Sequence, residues 1–150
     1  MRTTTFLSGA IFGALVTLSC AALALQMNHK TTVTPFEAAA HRIAPSNKAN
    51  VRVLAHGANA FVGHLRMDPG ASVPEHRDVS EEYIYVLQGT GTMTIDGKTH
   101  EIRPGTTVFM PANAKVSYVN GPREMVAIQV FAGPESAKKY EAWKAVGQAP

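Results

Sequence analysis

The sequence predicts an all-β domain built as an antiparallel sandwich or barrel, and three observations carry that reading. From Val51 onward, short runs rich in β-branched and aromatic residues alternate with turn signals at regular spacing. Within them, GTMTIDGKTHEI (91–102) sets Asp96-Gly97 between two alternating segments, a pair suited to a two-residue type I′ turn. Helical patterning is confined to the two flanks.

Taken in order, residues 1–24 differ from everything after them. Arg2 is the only charge before FLSGAIFGALVTLSCAALAL, which runs uncharged from Phe6 to Leu25. A secretory signal peptide has this form, with Ala22-Leu23-Ala24 as its cleavage site. Export to the periplasm or the extracellular space is the expectation. Two alternatives stay open: an uncleaved membrane anchor, since the apolar stretch approaches the length of a bilayer span, and lipidation at Cys20, where TLSC resembles a bacterial lipobox. Cleavage after Ala24 leaves a mature chain without cysteine, which needs no disulfide in an oxidising compartment.

Residues 25–50 read as a polar spacer and a short helix. In TPFEAAAHRI, Thr34 is the candidate N-cap, Pro35 suits the first helical position and Glu37 completes a capping box; Pro45 follows as a stop. The strands come next: VRVLA and FVGHLRM flank the turn signal HGAN, then EYIYVLQ, the 91–102 hairpin, TTVFMP, AKVSYVN and EMVAIQVF. This gives a β-barrel over 51–132. Residues 133–150 contain a second helix beginning near Pro134, on which Ala137, Tyr140 and Trp143 recur at helical spacing and are expected to pack on the barrel wall or a partner subunit. The 150 residues make one domain, and 45% hydrophobic residues suffice for a single core. A formal net charge of +3 without a basic run gives no nucleic-acid footprint. Apart from the leader, no part of the chain is expected to insert in a membrane.

Chemistry concentrates in GASVPEHRDVSEEYIYVLQG (70–89). His76 and Asp78, two apart on an extended segment, point to the same side. Glu82 shares a strand face with Ile84 and Val86, which belong in the core, so Glu82 points into the barrel near its mouth. A carboxylate there is costly unless it is paired, protonated or bound to a cation.

These residues resemble the first motif of the cupin superfamily: Gly70, His76, Asp78, Glu82 and Gly89 stand in register with Gly, five residues, His-x-His, three or four residues, Glu, six residues, Gly. Gly105, Pro111, Asn113, Val116 and Asn120 match the spacing of the second, which has Gly, Pro-x-Gly, His and Asn. The resemblance implies a small single-domain cupin with a jelly-roll barrel and short flanking N- and C-terminal helices. It implies a metal set of His76, Asp78, Glu82 and the residue at 116. Because Val116 cannot ligate, one imidazole and two carboxylates remain, a donor set that suits Mn²⁺ or Fe²⁺ better than thiophilic metals and binds weakly. His100 is the candidate substitute, since pairing across the Asp96-Gly97 turn sets it opposite Met93 on an inward face. His64 is in phase with Arg66 on the outer face; His29, His41 and His56 receive no role. Without a metal, His76 with Asp78 or Glu82 suits acid–base work or ligand hydrogen bonding, and Tyr118 and Asn120, in phase with Val116, line the same pocket.

Three functions follow: a module that binds a small polar molecule in the barrel mouth without turnover; a metal-dependent cupin enzyme, such as a dioxygenase, isomerase or lyase; or a structural protein associating through strand edges or the Trp143 helix. The resemblance makes a homodimer the default.

Overall fold

The computed structural model describes residues 31–136 and 138–147. The expected signal peptide, Cys20, His29 and Ala137 lie outside the described residues. The first described element is a single 3-10 turn, Phe36–Ala38. Eleven strands follow among the described residues: β1 (Ala40–Ile43), β2 (Ala49–His56), β3 (Ala60–Met67), β4 (Ser72–His76), β5 (Glu81–Gln88), β6 (Gly91–Ile95), β7 (Lys98–Ile102), β8 (Thr107–Met110), β9 (Val116–Asn120), β10 (Met125–Ala132) and β11 (Lys144–Ala145). One helical turn, α1 (Lys138–Glu141), sits between β10 and β11. Among the described residues no helix is long and apolar enough to cross a membrane.

The strands form two antiparallel sheets, ordered β11-β1-β2-β3-β10-β5-β8 and β4-β9-β6-β7. Their inner faces enclose the core, with Leu65, Ile84, Val86, Met93, Ile102 and Ala127 among its buried residues. Strand alternation accounts for the arrangement: β10 buries Met125, Ala127, Gln129 and Phe131 and turns the intervening residues outward. Asp96 and Gly97 both adopt positive φ, 47° and 80°, as a type I′ turn requires. The hairpin register follows from that turn, with Ile95 opposite Lys98, Met93 opposite His100 and Gly91 opposite Ile102.

Both flanking helices are smaller than their sequence signals. The capping pattern at 34–43 yields only the 3-10 turn; Pro35 occupies its N-cap and no side chain caps it. Residues 40–43 pair instead with β2 and β11, and His41 lies on strand β1. Two rows of ladder bonds outweigh a local helix preference. The turn lies on the outer wall, where Phe36 meets the His64 ring edge-on at 5.0 Å beneath the Arg52 guanidinium. His64 therefore faces outward, as its phase indicates.

The glycines of the two motifs are turn devices. Gly70, Gly89 and Gly105 have φ of 67°, 85° and 84°, a region closed to most residues with a Cβ. Asn113 takes the same left-handed form, φ 64°, at a position where the second motif has glycine; asparagine is the residue that best tolerates it.

Candidate functional site

A cavity of about 650 Å³ opens between the sheets. Its wall is mostly apolar, and four methionines, Met67, Met93, Met110 and Met125, supply much of it. Polar groups enter from His76, Glu82, Gln129, Lys139 and Tyr140.

Glu82 is buried, with 6% exposure, as the alternation of β5 requires. Gln129, from the adjoining β10, donates Nε2–H to Glu82 Oε1, and the Tyr140 hydroxyl donates to Gln129 Oε1. Burial pushes the Glu82 carboxyl above its ordinary value, opposed by the Lys139 charge and the Gln129 hydrogen bond. Burial also raises Tyr140 far above the phenolic range, so its proton stays on oxygen. Tyr140 is held by stacking on Phe61, ring centroids 4.9 Å apart, and by the edge of Trp143 at 4.8 Å.

His76 is fixed at both nitrogens. Nδ1 lies 2.9 Å from the Pro74 carbonyl oxygen and donates to it; Nε2 lies 3.3 Å from Asp78 Oδ2. The Asp78 bond raises the imidazole above its ordinary value despite burial, so a proton on Nε2 completes an ion pair. Asp78 also accepts from Lys139 Nζ at 2.8 Å. Burial alone would raise Asp78, but the bonds from His76 and Lys139, with the Lys139 charge, outweigh it and hold the carboxyl down to about 2.

The expected site residues thus separate. His76 and Glu82 face the cavity; Asp78 stands behind them and lines a smaller pocket of about 290 Å³ with Lys139. Val116 is buried, lies opposite His76 in the β4–β9 ladder and gives the cavity an apolar surface where the second motif has histidine. Tyr118 lines the wall with its ring, but its hydroxyl is spent on Asn120 Oδ1 at 3.1 Å, and burial pushes it up to about 12. Two placements need correction. Asn120 is not among the residues lining the cavity: its Nδ2 donates to the carbonyls of Met67, Asp68 and Arg123, at 3.2, 2.8 and 3.0 Å, so its amide is consumed as a structural tie. His100 is exposed and stands outside the site. It does oppose Met93, but β7 is the edge strand of its sheet, and Lys98–Glu101 are exposed among the described residues.

The donor set does not fit a divalent cation as it stands. Ligands must turn free lone pairs to one point. Here His76 Nε2 and Asp78 Oδ2 face each other, the Lys139 ammonium sits on Asp78, and Val116 offers nothing. Among the described residues no three His, Cys, Asp or Glu side chains gather as a metal set.

Gln129 and Lys139 were not legible as site residues in the same way. Gln129 had a signal: it alternates in phase with Ala127 and Phe131, a polar residue on a face otherwise committed to the core. Lys139, sixty-one residues from Asp78, had none.

Comparison with known proteins agrees with this fold. Residues 63–131 match the family model described as Cupin domain. Over 76 residues the chain is 36% identical to dimethylsulfoniopropionate lyase DddW of Ruegeria pomeroyi, covering 47% of this chain and 50% of that protein. It is 29% identical to the tetracenomycin polyketide synthase protein TcmJ of Streptomyces glaucescens over 75 residues, 49% of this chain and 50% of that one. The chain therefore spans about half the length of these two relatives. An RmlC-like cupin from Shewanella frigidimarina superposes with a TM-score of 0.64 at 17% identity, over 72% of this chain and 96% of that one, a likeness of fold.

Proposed function

Residues 63–131 are a cupin domain, and we propose that its barrel binds a small amphipathic molecule, with an apolar body against the methionine-rich wall and a polar head at His76 and Glu82. The observation that carries this is the asymmetry of the cavity: apolar over most of its wall, with a buried carboxyl and an imidazole facing into it. An apolar body gains about 0.8 kcal/mol per buried methylene, and methionine side chains adapt to its shape. The small polar ligand expected from the sequence is thereby narrowed to one that is polar at its head only.

Calorimetric titration with octan-1-ol tests the reading. Wild type is expected to bind saturably, and Val116→Phe, which fills the wall opposite His76, to lose that binding while keeping its β-sheet circular dichroism. Equal binding by both proteins, or none by wild type, rejects it.

A second reading, proton transfer on the bound molecule, is favoured by the clamped imidazole: with Nδ1 committed to Pro74, only Nε2 can exchange a proton with a ligand. The partial resemblance to a lyase supports trying dimethylsulfoniopropionate, with consumption by wild type and none by His76→Ala as the expected outcome. Export is part of the proposal, resting on residues 1–24; a mature protein beginning at Leu25 by mass spectrometry is the expected result. So is a homodimer, for which exposed Tyr85, Leu87 and Phe109 on β5 and β8 offer an apolar face. Tyr85→Lys is expected to shift its sedimentation toward the monomer.

A further inference from the structure

Lys139 is an unusual member of a cavity wall. Its stem comes from the single turn α1, beside the buried Tyr140, and its ammonium stands 4.2 Å over the Phe131 ring. An ammonium carries three donors; among the described residues the one side-chain acceptor bonded to it is Asp78 Oδ2. Asp78 lines the smaller pocket and not the main cavity, while Lys139 lines both. The cavity is therefore presented with the cation and not with the carboxylate that accompanies it.

His76 adds to the same side. Its Nδ1 donates to Pro74, and a proton on Nε2 would be shared between Asp78, at 3.3 Å, and a head group in the cavity that His76 lines. The other carboxyl on this wall, Glu82, has Oε1 committed to Gln129 and forms no ion pair with Lys139. Burial raises its carboxyl above the ordinary value, which lessens its repulsion of an anion. Val116 and Lys139 line the same cavity, the one apolar and the other cationic.

We propose that Lys139 and His76 make the polar end of the cavity an anion site, and that its ligand is an amphipathic carboxylic acid. This rests on the reading of the barrel as a small-molecule site. Calorimetry with octanoate and octan-1-ol, on the full chain, separates the two ideas. Wild type is expected to bind octanoate at least tenfold more tightly than octan-1-ol. Lys139→Met is expected to lose that preference and Lys139→Arg to keep most of it. Added sodium chloride is expected to weaken octanoate and leave octan-1-ol unchanged; this needs no variant, so it stands even if Lys139→Met fails to fold. Equal affinity for acid and alcohol in wild type, a preference that survives in Lys139→Met, or an octanoate affinity indifferent to salt overturns the anion site while leaving the cavity reading intact. Binding of neither probe overturns both.

Discussion

The two motif segments build the same cavity and use their polar residues in opposite ways. In 70–89, His76 and Glu82 line the cavity and Asp78 lines the smaller pocket. In 105–120, the polar residues are closed on themselves: Tyr118 donates to Asn120, and Asn120 ties β9 to the carbonyls of residues 67, 68 and 123. Glu82 on β5 and Tyr118 and Asn120 on β9 all take buried strand positions. What distinguishes a ligand-facing group from a structural one is where its partners are, and partners are a property of the packed molecule.

The comparison can be broken most forcefully at Asn120. Asn120→Ala strands three carbonyls and a phenol, and is expected to cost about 3 kcal/mol or more in denaturant unfolding. Octanol binding of the folded fraction is expected to change little. Gly91→Ala is expected to act in the same direction, because a Cβ there would overlap the Tyr118 hydroxyl. If Asn120→Ala is fully stable, the second segment is not the structural one.

A change that would make the second segment resemble a metal site is next in size. Val116→His alone leaves the Lys139 ammonium on Asp78. With Lys139→Met added, Mn²⁺ affinity by calorimetry is expected to rise at least a hundredfold over Val116→His, about 2.7 kcal/mol. No difference between single and double variants would show that Lys139 does not compete for the cation's place.

The first segment should answer to pH. Asp78 titrates at about 2 when folded, against 3.8 as its ordinary value, so its contribution is present above pH 3.8 and lost as pH falls through 2. His76 is shifted the other way, so its part is complete below 6.5 and lost as pH rises through the folded value. Asp78→Asn is accordingly expected to cost about 1–2 kcal/mol between those limits, discounted for partial exposure, and nothing near pH 2. Glu82 has a raised value, so its burial favours folding below pH 4.5 and opposes it as pH rises through the folded value. Glu82→Gln is expected to flatten that decline in urea midpoints across pH 4–8. The smallest effect belongs to His100→Ala, within about 0.5 kcal/mol and with unchanged octanol binding.

These residues also mark what was legible in the sequence. The 91–102 hairpin was readable to the residue because a type I′ turn sets register locally. Glu82 was readable because strand alternation with Ile84 and Val86 fixes its face. His100 shows the limit of the same rule, since phase names a face but not whether anything covers it. The 34–43 helix failed where ladder partners from β2 and β11 were invisible to a local reading. Lys139 was unreadable as a site residue because its contact with Asp78 depends on how α1 docks across β10.

That docking has an engineering corollary. Residues 138–143 supply both a charge and an aromatic ceiling to a chamber walled mostly by strands, and they are one short stretch of chain leading into β11, which pairs with β1 through Arg42 with Ala145 and Ile43 with Lys144. Such a cap is a modular part. Exchanging it for a segment of different polarity would retune which guests are admitted, with no strand rebuilt.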